Sequence, residues 1–251
     1  MSLNGVLSSG VSAILTNSAA LRVVAGNIAN VNTPGYVRRT VNMVPMARGG
    51  QLSGVALSDV QRVVNQYLDM EVLAAGSAAA RYDIQATLLN QLDATLGQPG
   101  DGTSLGSRID AVYAVLGQAS LDPGALATRL GVLNEFEALA QTASNLSDAI
   151  ANLRVDADQQ VASTVTHANQ LIQQIFELNP QIQHAILAGE TASGLLDQRD
   201  QLVGQLSDIM GIRTNVQSDG RLFISTTDGV SLISDIYSEI THEPGFGPSF
   251  S

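Results

Sequence analysis

From Leu3 to Val31 the apolar residues recur at sevens. Leu7, Ile14, Leu21 and Ile28 form one row, and Leu3, Val24 and Val31 form the offset row, whose two gaps are filled by Gly10 and Asn17. A seam this narrow predicts a helix that seeks a partner helix more than a globular core. Arg22 is the only charge in residues 1–37, which leaves Ser, Thr, Asn and Gly for the other face. Such a helix is a poor autonomous folder, because nucleation and glycine entropy both oppose it, so order is expected only where it is packed.

The stretch Asn27 to Arg39, NIANVNTPGYVRR, ends that helix. Asn30 and Asn32 suit helix-end positions, where an amide can satisfy a free carbonyl or the backbone can turn left-handed. In Thr33-Pro34-Gly35-Tyr36, Pro stands where φ is already set and Gly where a type II turn needs positive φ, which predicts a rigid reversal that presents Tyr36. Residues 40–60 read as strand or irregular loop. A helical period returns from about Val60 to Leu96, broken by GQPGDG at 97–102, and a shorter helix runs from Leu105 to about Leu121.

Asp122-Pro123 reads as a helix start, carboxylate at the cap and Pro in the first turn. Beyond it, Leu126, Leu130, Leu133, Leu139, Leu146, Ile150, Leu153, Val161, Val165, Ala168, Ile172, Ile175 and Leu178 keep helical spacing. At ~1.5 Å rise per residue such a helix is a rod of roughly 80 Å. Its register drifts between Leu153 and Val161, pointing to a change of packing partner, and Pro180 predicts a kink or stop at Asn179. Another helix covers about Ala192 to Met210, with Leu195, Leu196, Leu202, Val203, Leu206 and Ile209 inward. After Gly211 the pattern alternates: IRTNVQ, RLFISTT and VSLI read as three strands joined by Asp219-Gly220 and Asp228-Gly229 turns. From about His242 the chain reads as a connector.

The expected fold is therefore mainly α. It is an elongated helical bundle or coiled-coil rod with an N-terminal heptad helix and a small antiparallel β meander near the C-terminus. The chain is expected to divide into residues 1–60 (axial helix, turn and linker), 61–210 (long-helix rod) and 211–251 (meander and connector).

Composition narrows the chemistry. The 251 residues include 12 basic side chains, all Arg, against 23 acidic ones, a net charge of -11, with no Cys, no Trp, five Tyr and five Phe. Without Lys there is no P-loop and no Schiff base, and without Cys no thiolate catalysis, Cys zinc site or disulfide. The acidic balance disfavours nucleic acid and anionic membranes as partners. Few aromatics suit Leu, Ile, Val and Ala packing between helices. No run reaches ~18 uninterrupted apolar residues, and the first fifteen residues hold no basic residue to start a secretory signal. A soluble chain is expected, one that uses no ordinary cleaved signal peptide.

Three features together, the heptad helix, NIANVNTPGY at 27–36 and LLDQRDQLVGQLSDIMGIR at 195–213, resemble the flagellar hook-associated protein 1 family, the hook–filament junction proteins. The first string is shared widely by axial rod and hook proteins. The second, preceded by QQIFELNPQI and followed by the meander, is more specific, and the resemblance covers nearly the whole chain. Against the family, Pro180 stands where an uninterrupted helix is expected, and the chain stops before the outer domain and the C-terminal helix, the usual partner of the N-terminal one, so either it is a fragment or the pairing at residues 3–31 is made by something else. The resemblance implies a non-enzymatic building block. Such subunits are exported unfolded through the flagellar type III apparatus by an uncleaved N-terminal region and form a short tubular layer between hook and filament. The implied partners are further copies of itself, the flagellar hook protein, a second junction protein or the filament side, and the export apparatus. No cofactor, metal, nucleic acid or membrane insertion is implied.

The seam residues then serve assembly, and Pro34-Gly35-Tyr36 sets the angle between the inner helix and the outer domain. Asp197, Arg199 and Asp200, which with Gln198 form the family's helix motif, read as a solvated ion-pair cluster near a helix start. His167, His184 and His242 are scattered without metal-ligand spacing. Alternatives are a rod or hook subunit of the same axial family, or a secreted coiled-coil adaptor or effector. An enzyme such as a wall hydrolase needs paired carboxylates in a cleft, and the pattern offers a helical rod instead.

Overall fold

The computed structural model describes residues 3–33, 35–48, 51–97, 102, 104–245 and 247–250. Among them, five helices and seven strands run in the order α1 (Leu3–Ala29), β1 (Arg39–Arg48), β2 (Gln51–Arg62), α2 (Gln66–Leu96), α3 (Leu105–Leu121), α4 (Leu126–Leu187), α5 (Ser193–Ile209), β3 (Ile212–Val216), β4 (Leu222–Thr226), β5 (Ser231–Ile233), β6 (Ile240–Glu243) and β7 (Gly247–Phe250). The strands form an antiparallel hairpin β1-β2, a meander β3-β4-β5 and a pair β6-β7. The mainly helical class and the small meander agree with the sequence periods.

Several boundaries differ from the sequence reading, each for a local physical reason. Helix α2 starts at Gln66, not near Val60, because residues to Arg62 are paired across the hairpin. Asn65 supplies the cap that the periodicity hides, its Oδ1 accepting from the Tyr67 and Leu68 amides. Asp122 closes α3 instead of opening α4. Pro123-Gly124 is a turn, and Thr128 Oγ1 donates to the Asp122 and Ala125 carbonyls. Pro180 does not stop α4, which continues to Leu187. Leu178 and Ile182 are buried on either side of it, so packing outweighs the lost amide. The stop comes at Gly189 (φ 72), where Gly189 N donates to Ile186 O and Glu190 N to Ala185 O. The tail is not a plain connector, since β6 and β7 pair within it. Residues 98–101 of the expected helix breaker lie outside the described residues.

The chain divides into two compact units, one built from Met1–Ala78, His167–Ile240 and Phe250–Ser251, the other from Ala79–Thr166 and Thr241–Ser249. Boundaries near 60 and 210 are read along the chain, whereas these units draw on segments distant in sequence. Among the described residues the first unit holds nearly all of the buried apolar side chains. Ala168, Leu171, Ile172, Ile175, Leu178, Ile182 and Ala185 form the buried stripe of α4, joined by Val203 and Leu206 of α5 and by Leu222, Ile224, Leu232 and Ile233 of the meander. Leu195, Leu196 and Leu202 pack beside them, partly buried. In the second unit Ser104 caps α3 by accepting from Ser107 N at 3.2 Å, Arg108 lies 3.9 Å from Glu135, and His242 Nε2 meets Asp158 Oδ1 at 3.0 Å. The packing of α4 changes at Thr166/His167, a few residues beyond the stretch where its register drifts.

Two asparagines of α4 pair with strand backbone through both amide atoms. Asn179, buried, donates Nδ2 to Leu222 O at 3.0 Å and accepts from Leu222 N at 2.9 Å. Asn169 does the same to Ile240, at 2.8 and 2.9 Å. Each amide mimics the donor and acceptor of a strand neighbour. At the β3-β4 turn, Arg221 binds Asp219 and Asp235 at 2.7 and 2.6 Å. Its hydrogen bond to Asp219 holds that carboxyl below the ordinary range. The turn is thus supported above the ordinary carboxyl range, and that support is lost as pH falls through the lowered value. Gly220 occupies positive φ (86°) under Ile186, where any Cβ would overlap that side chain.

Replacing Asn179 by Leu raises the apolar content of the core yet strands the Leu222 amide and carbonyl. A loss of about 1–3 kcal/mol in unfolding free energy is expected, measured by urea denaturation; an unchanged or raised midpoint contradicts the pairing role.

Candidate functional site

Helix α1 docks on the hairpin by its polar side. Thr16, 7% exposed, donates Oγ1 to Val55 O at 3.0 Å; Ser12 Oγ accepts from Val55 N at 3.3 Å and donates to Ser9 O at 2.9 Å. Both backbone groups of Val55 are therefore satisfied by hydroxyls from the helix. Gly54 (φ 148) makes this approach possible, because a Cβ there would overlap Ser12 Oγ. Small residues allow close contact between helix and strand, and their hydroxyls fix how the helix is rotated.

That rotation points the seam away from the hairpin. Leu7, Ile14, Leu21 and Ile28 are 67–69% exposed, and Leu3, Val24 and Val31 are also exposed. Each aliphatic side chain left in water forgoes about 1.5–3 kcal/mol of burial, and a continuous apolar row is the usual mark of an interaction surface. Helix α1 from Gly5 to Ala29 is also long and apolar enough, by length and composition, to cross a membrane. The expectation that no run of ~18 uninterrupted apolar residues occurs still holds, because Ser, Thr, Asn, Gly and Arg22 interrupt the helix while its alanines and aliphatics keep the average high.

The turn motif acts as a clamp at the end of α1. Asn27 donates Nδ2 to Arg39 O at 2.8 Å and accepts from Arg39 N at 2.9 Å, and the Tyr36 hydroxyl donates to Asn27 Oδ1 at 2.9 Å. Asn30 Nδ2 donates to Gly26 O at 2.9 Å, and Thr33 Oγ1 to Asn30 Oδ1 at 3.2 Å. The first strand is thereby fastened to the helix that precedes it. Gly35 has φ 77°, and Tyr36 N donates to Thr33 O at 3.2 Å, as a reversal requires. Pro34 lies outside the described residues. Asn32 is exposed, and among the described residues no non-glycine adopts positive φ, so Asn30 acts through its amide and not through a left-handed backbone.

The second motif meets the first. Gly35 sits against Gln201, where a Cβ would come within 2.5 Å of Cγ. Asp197 of α5 pairs with Arg39 at 2.6 Å and Arg62 at 2.9 Å, and Asp200 pairs with Arg62 at 2.5 Å. Arg199 turns the other way, 3% exposed, and donates Nη1 to Gly220 O at 2.7 Å. Burial lowers its pKa from the ordinary guanidinium value, while the neighbouring Asp200 opposes that shift. Gln198 is exposed. The expectation of a solvated cluster of Asp197, Arg199 and Asp200 is thus corrected. Two carboxylates face the hairpin, and the guanidinium between them serves the meander, because successive helical residues point to different sides. Among the described residues no three His, Asp or Glu side chains gather as metal ligands.

Hydrophobic periodicity does not reveal Ser9, Ser12 and Thr16, although their spacing of three and four is itself a helical face of small hydroxyl residues. Arg39 and Arg62 carry no signal until the hairpin pairs them opposite each other.

A heptad helix closed by an asparagine clamp and fastened to a helix-and-meander core is the arrangement these residues build, and comparison with known proteins gives it a flagellar family. The flagella basal body rod protein profile matches residues 7–36, and the profile of the flagellar hook-associated protein FlgK helical domain matches residues 89–242. The chain belongs to the FlgK hook-associated family. It is 27% identical over 229 residues to flagellar hook-associated protein 1 of Bacillus subtilis, covering 86% of this chain and 45% of that protein. With the Escherichia coli hook-associated protein 1 it shares 26% over 242 residues, 92% of this chain and 43% of that one. The flagellar hook protein FlgE of Caulobacter vibrioides is 31% identical over 80 residues, 32% of this chain and 14% of its own. The solved structure of the hook junction protein FlgK from Burkholderia pseudomallei has a similar fold, with TM-score 0.63 and 24% identity over 72% of this chain and 32% of that chain. The chain spans less than half the length of the hook-associated relatives it matches.

Gly54→Ala tests the docking of α1. The added Cβ displaces Ser12, so amides of residues 5–29 should exchange at least about tenfold faster while the meander keeps its protection. Hydrogen exchange with mass spectrometry reads both, and unchanged protection of α1 contradicts the docking.

Proposed function

We propose that this chain is a non-enzymatic structural subunit of the flagellum that forms the junction between hook and filament, assembling with further copies through packing of α1. The observation that carries this reading is the apolar seam from Leu3 to Val31, exposed along the helix while the opposite face is held by hydroxyl contacts to Val55. A helix so arranged is stabilised by a partner that covers the seam. On this reading the partners are the hook protein on one side, a second junction protein or the filament side on the other, and the flagellar export apparatus beforehand, with an extracellular destination. The carboxylates most suggestive of chemistry, Asp197 and Asp200, are engaged by Arg39 and Arg62, which supports a structural role for them.

Electron microscopy of flagella from a strain lacking the gene tests the assignment: hooks without filaments are expected, and hooks bearing normal filaments contradict it. A second reading, a rod or hook subunit, is favoured by the matches to the rod protein profile and to FlgE. It predicts cells without complete hooks in the same micrographs.

A further inference from the structure

Helix α1, the hairpin and α2 contribute none of the buried apolar residues among those described; the core of the first unit comes from α4, α5 and the strands after α5. The axial segment, residues 3–62, meets α5 through ion pairs at the base of the hairpin. The attachment centres on four charged side chains from three elements. Arg39 and Arg62 stand directly opposite each other at the base of the hairpin, an arrangement of like charges that destabilises a strand pair. Asp197 bridges both, at 2.6 and 2.9 Å, and Asp200 takes Arg62 at 2.5 Å. Three of these groups are largely screened from solvent, with side-chain exposure of 25% for Arg39, 11% for Arg62 and 13% for Asp197, while Asp200 is exposed at 42%. Two further charges border them. Asp69 of α2 feels both Asp200 and Arg62, and Arg199 lies next to Asp200. Removing Asp197 therefore leaves Arg39, a partly buried cation, without its carboxylate, while Arg62 keeps Asp200.

We propose that the Arg39/Arg62–Asp197/Asp200 cluster is an ionic latch: it closes the hairpin base and holds the axial segment on α5 at one angle, and its opening frees the segment while the apolar core stays folded. Closure of the hairpin and docking on α5 are coupled, because the same carboxylate that holds Arg39 on α5 relieves its repulsion from Arg62. A joint made of ion pairs resists small displacements and opens without exposing core surface, which an apolar joint cannot do. The mechanical use of the latch rests on the axial reading of α1, but the latch itself is tested on the isolated chain, where filament attachment plays no part.

Because the chain has no cysteine, the double variant Val44→Cys with Gln205→Cys places one spin label on β1 and one on α5. Pulsed electron resonance should give one narrow distance in the parent. Adding Asp197→Asn and Asp200→Asn should raise a second, displaced population about tenfold. About 1 M salt, where screening acts within ~3 Å, should move the parent in the same direction. Asp197→Glu should retain the narrow distance. Hydrogen exchange over residues 168–185 reports the core in each sample and should not change. A distance that stays narrow in the double Asn variant overturns the latch. So does a broadening accompanied by lost protection of 168–185, which makes the cluster part of global stability.

Discussion

The hydroxyl contacts between α1 and Val55 set the terms for the rest of the molecule. Ser12 and Thr16 satisfy both backbone groups of one β2 residue, and Gly54 lets them come close enough to do so. A helix can bury only one face against a two-stranded hairpin. Here that face is polar, so the apolar row from Leu3 to Val31 remains in water. Stability within the chain has been traded for a surface of fixed direction. An apolar face docked on the hairpin would hold α1 more firmly and leave no exposed seam.

Direction is carried onward by three joints of increasing reach. Asn27 fastens the end of α1 to the first strand. The turn at Gly35 rests on Gln201, and the arginine pair at the base of the hairpin is gripped by Asp197 and Asp200. The two strings by which the sequence resembles the hook-associated family, at 27–36 and 195–213, meet where Gln201 lies beside Gly35, and the second also grips the hairpin that follows the first. Their separation along the chain conceals that each accounts for the other: the DQRD segment supplies carboxylates to the hairpin from two of its residues and a guanidinium to the meander from a third.

Much of this was legible in the sequence wherever a period gathers apolar side chains on one face, buried in α4 and the meander and exposed in α1. The heptads of α1, the stripe of α4 and the alternation of the meander declare their elements because side chains of one kind must share one face. Periodicity does not report what a face will meet. The seam of α1 is visible from Leu7, Ile14, Leu21 and Ile28, but the docking face of Ser9, Ser12 and Thr16 is not, since small hydroxyl residues look alike in solvent and in contact. Polar residues that replace backbone partners are silent for a similar reason. Asn179 sits beside Pro180 in a run that reads as a helix end, yet it is buried and pairs with Leu222 across 43 positions. The like-charged pair Arg39 and Arg62 becomes meaningful only after the hairpin has set its register.

On the proposed function, the outward seam of α1 is covered in the assembled flagellum and open in the free chain. A chain without cysteine permits a direct measurement: the rate at which a thiol reagent labels Leu21→Cys on the seam and Thr16→Cys on the docked face, each in purified monomer and in isolated flagella. The account predicts fast labelling at 21 in the monomer and strong protection there in flagella, with slow labelling at 16 in both. Equal, fast labelling at 21 in monomer and flagella would contradict it.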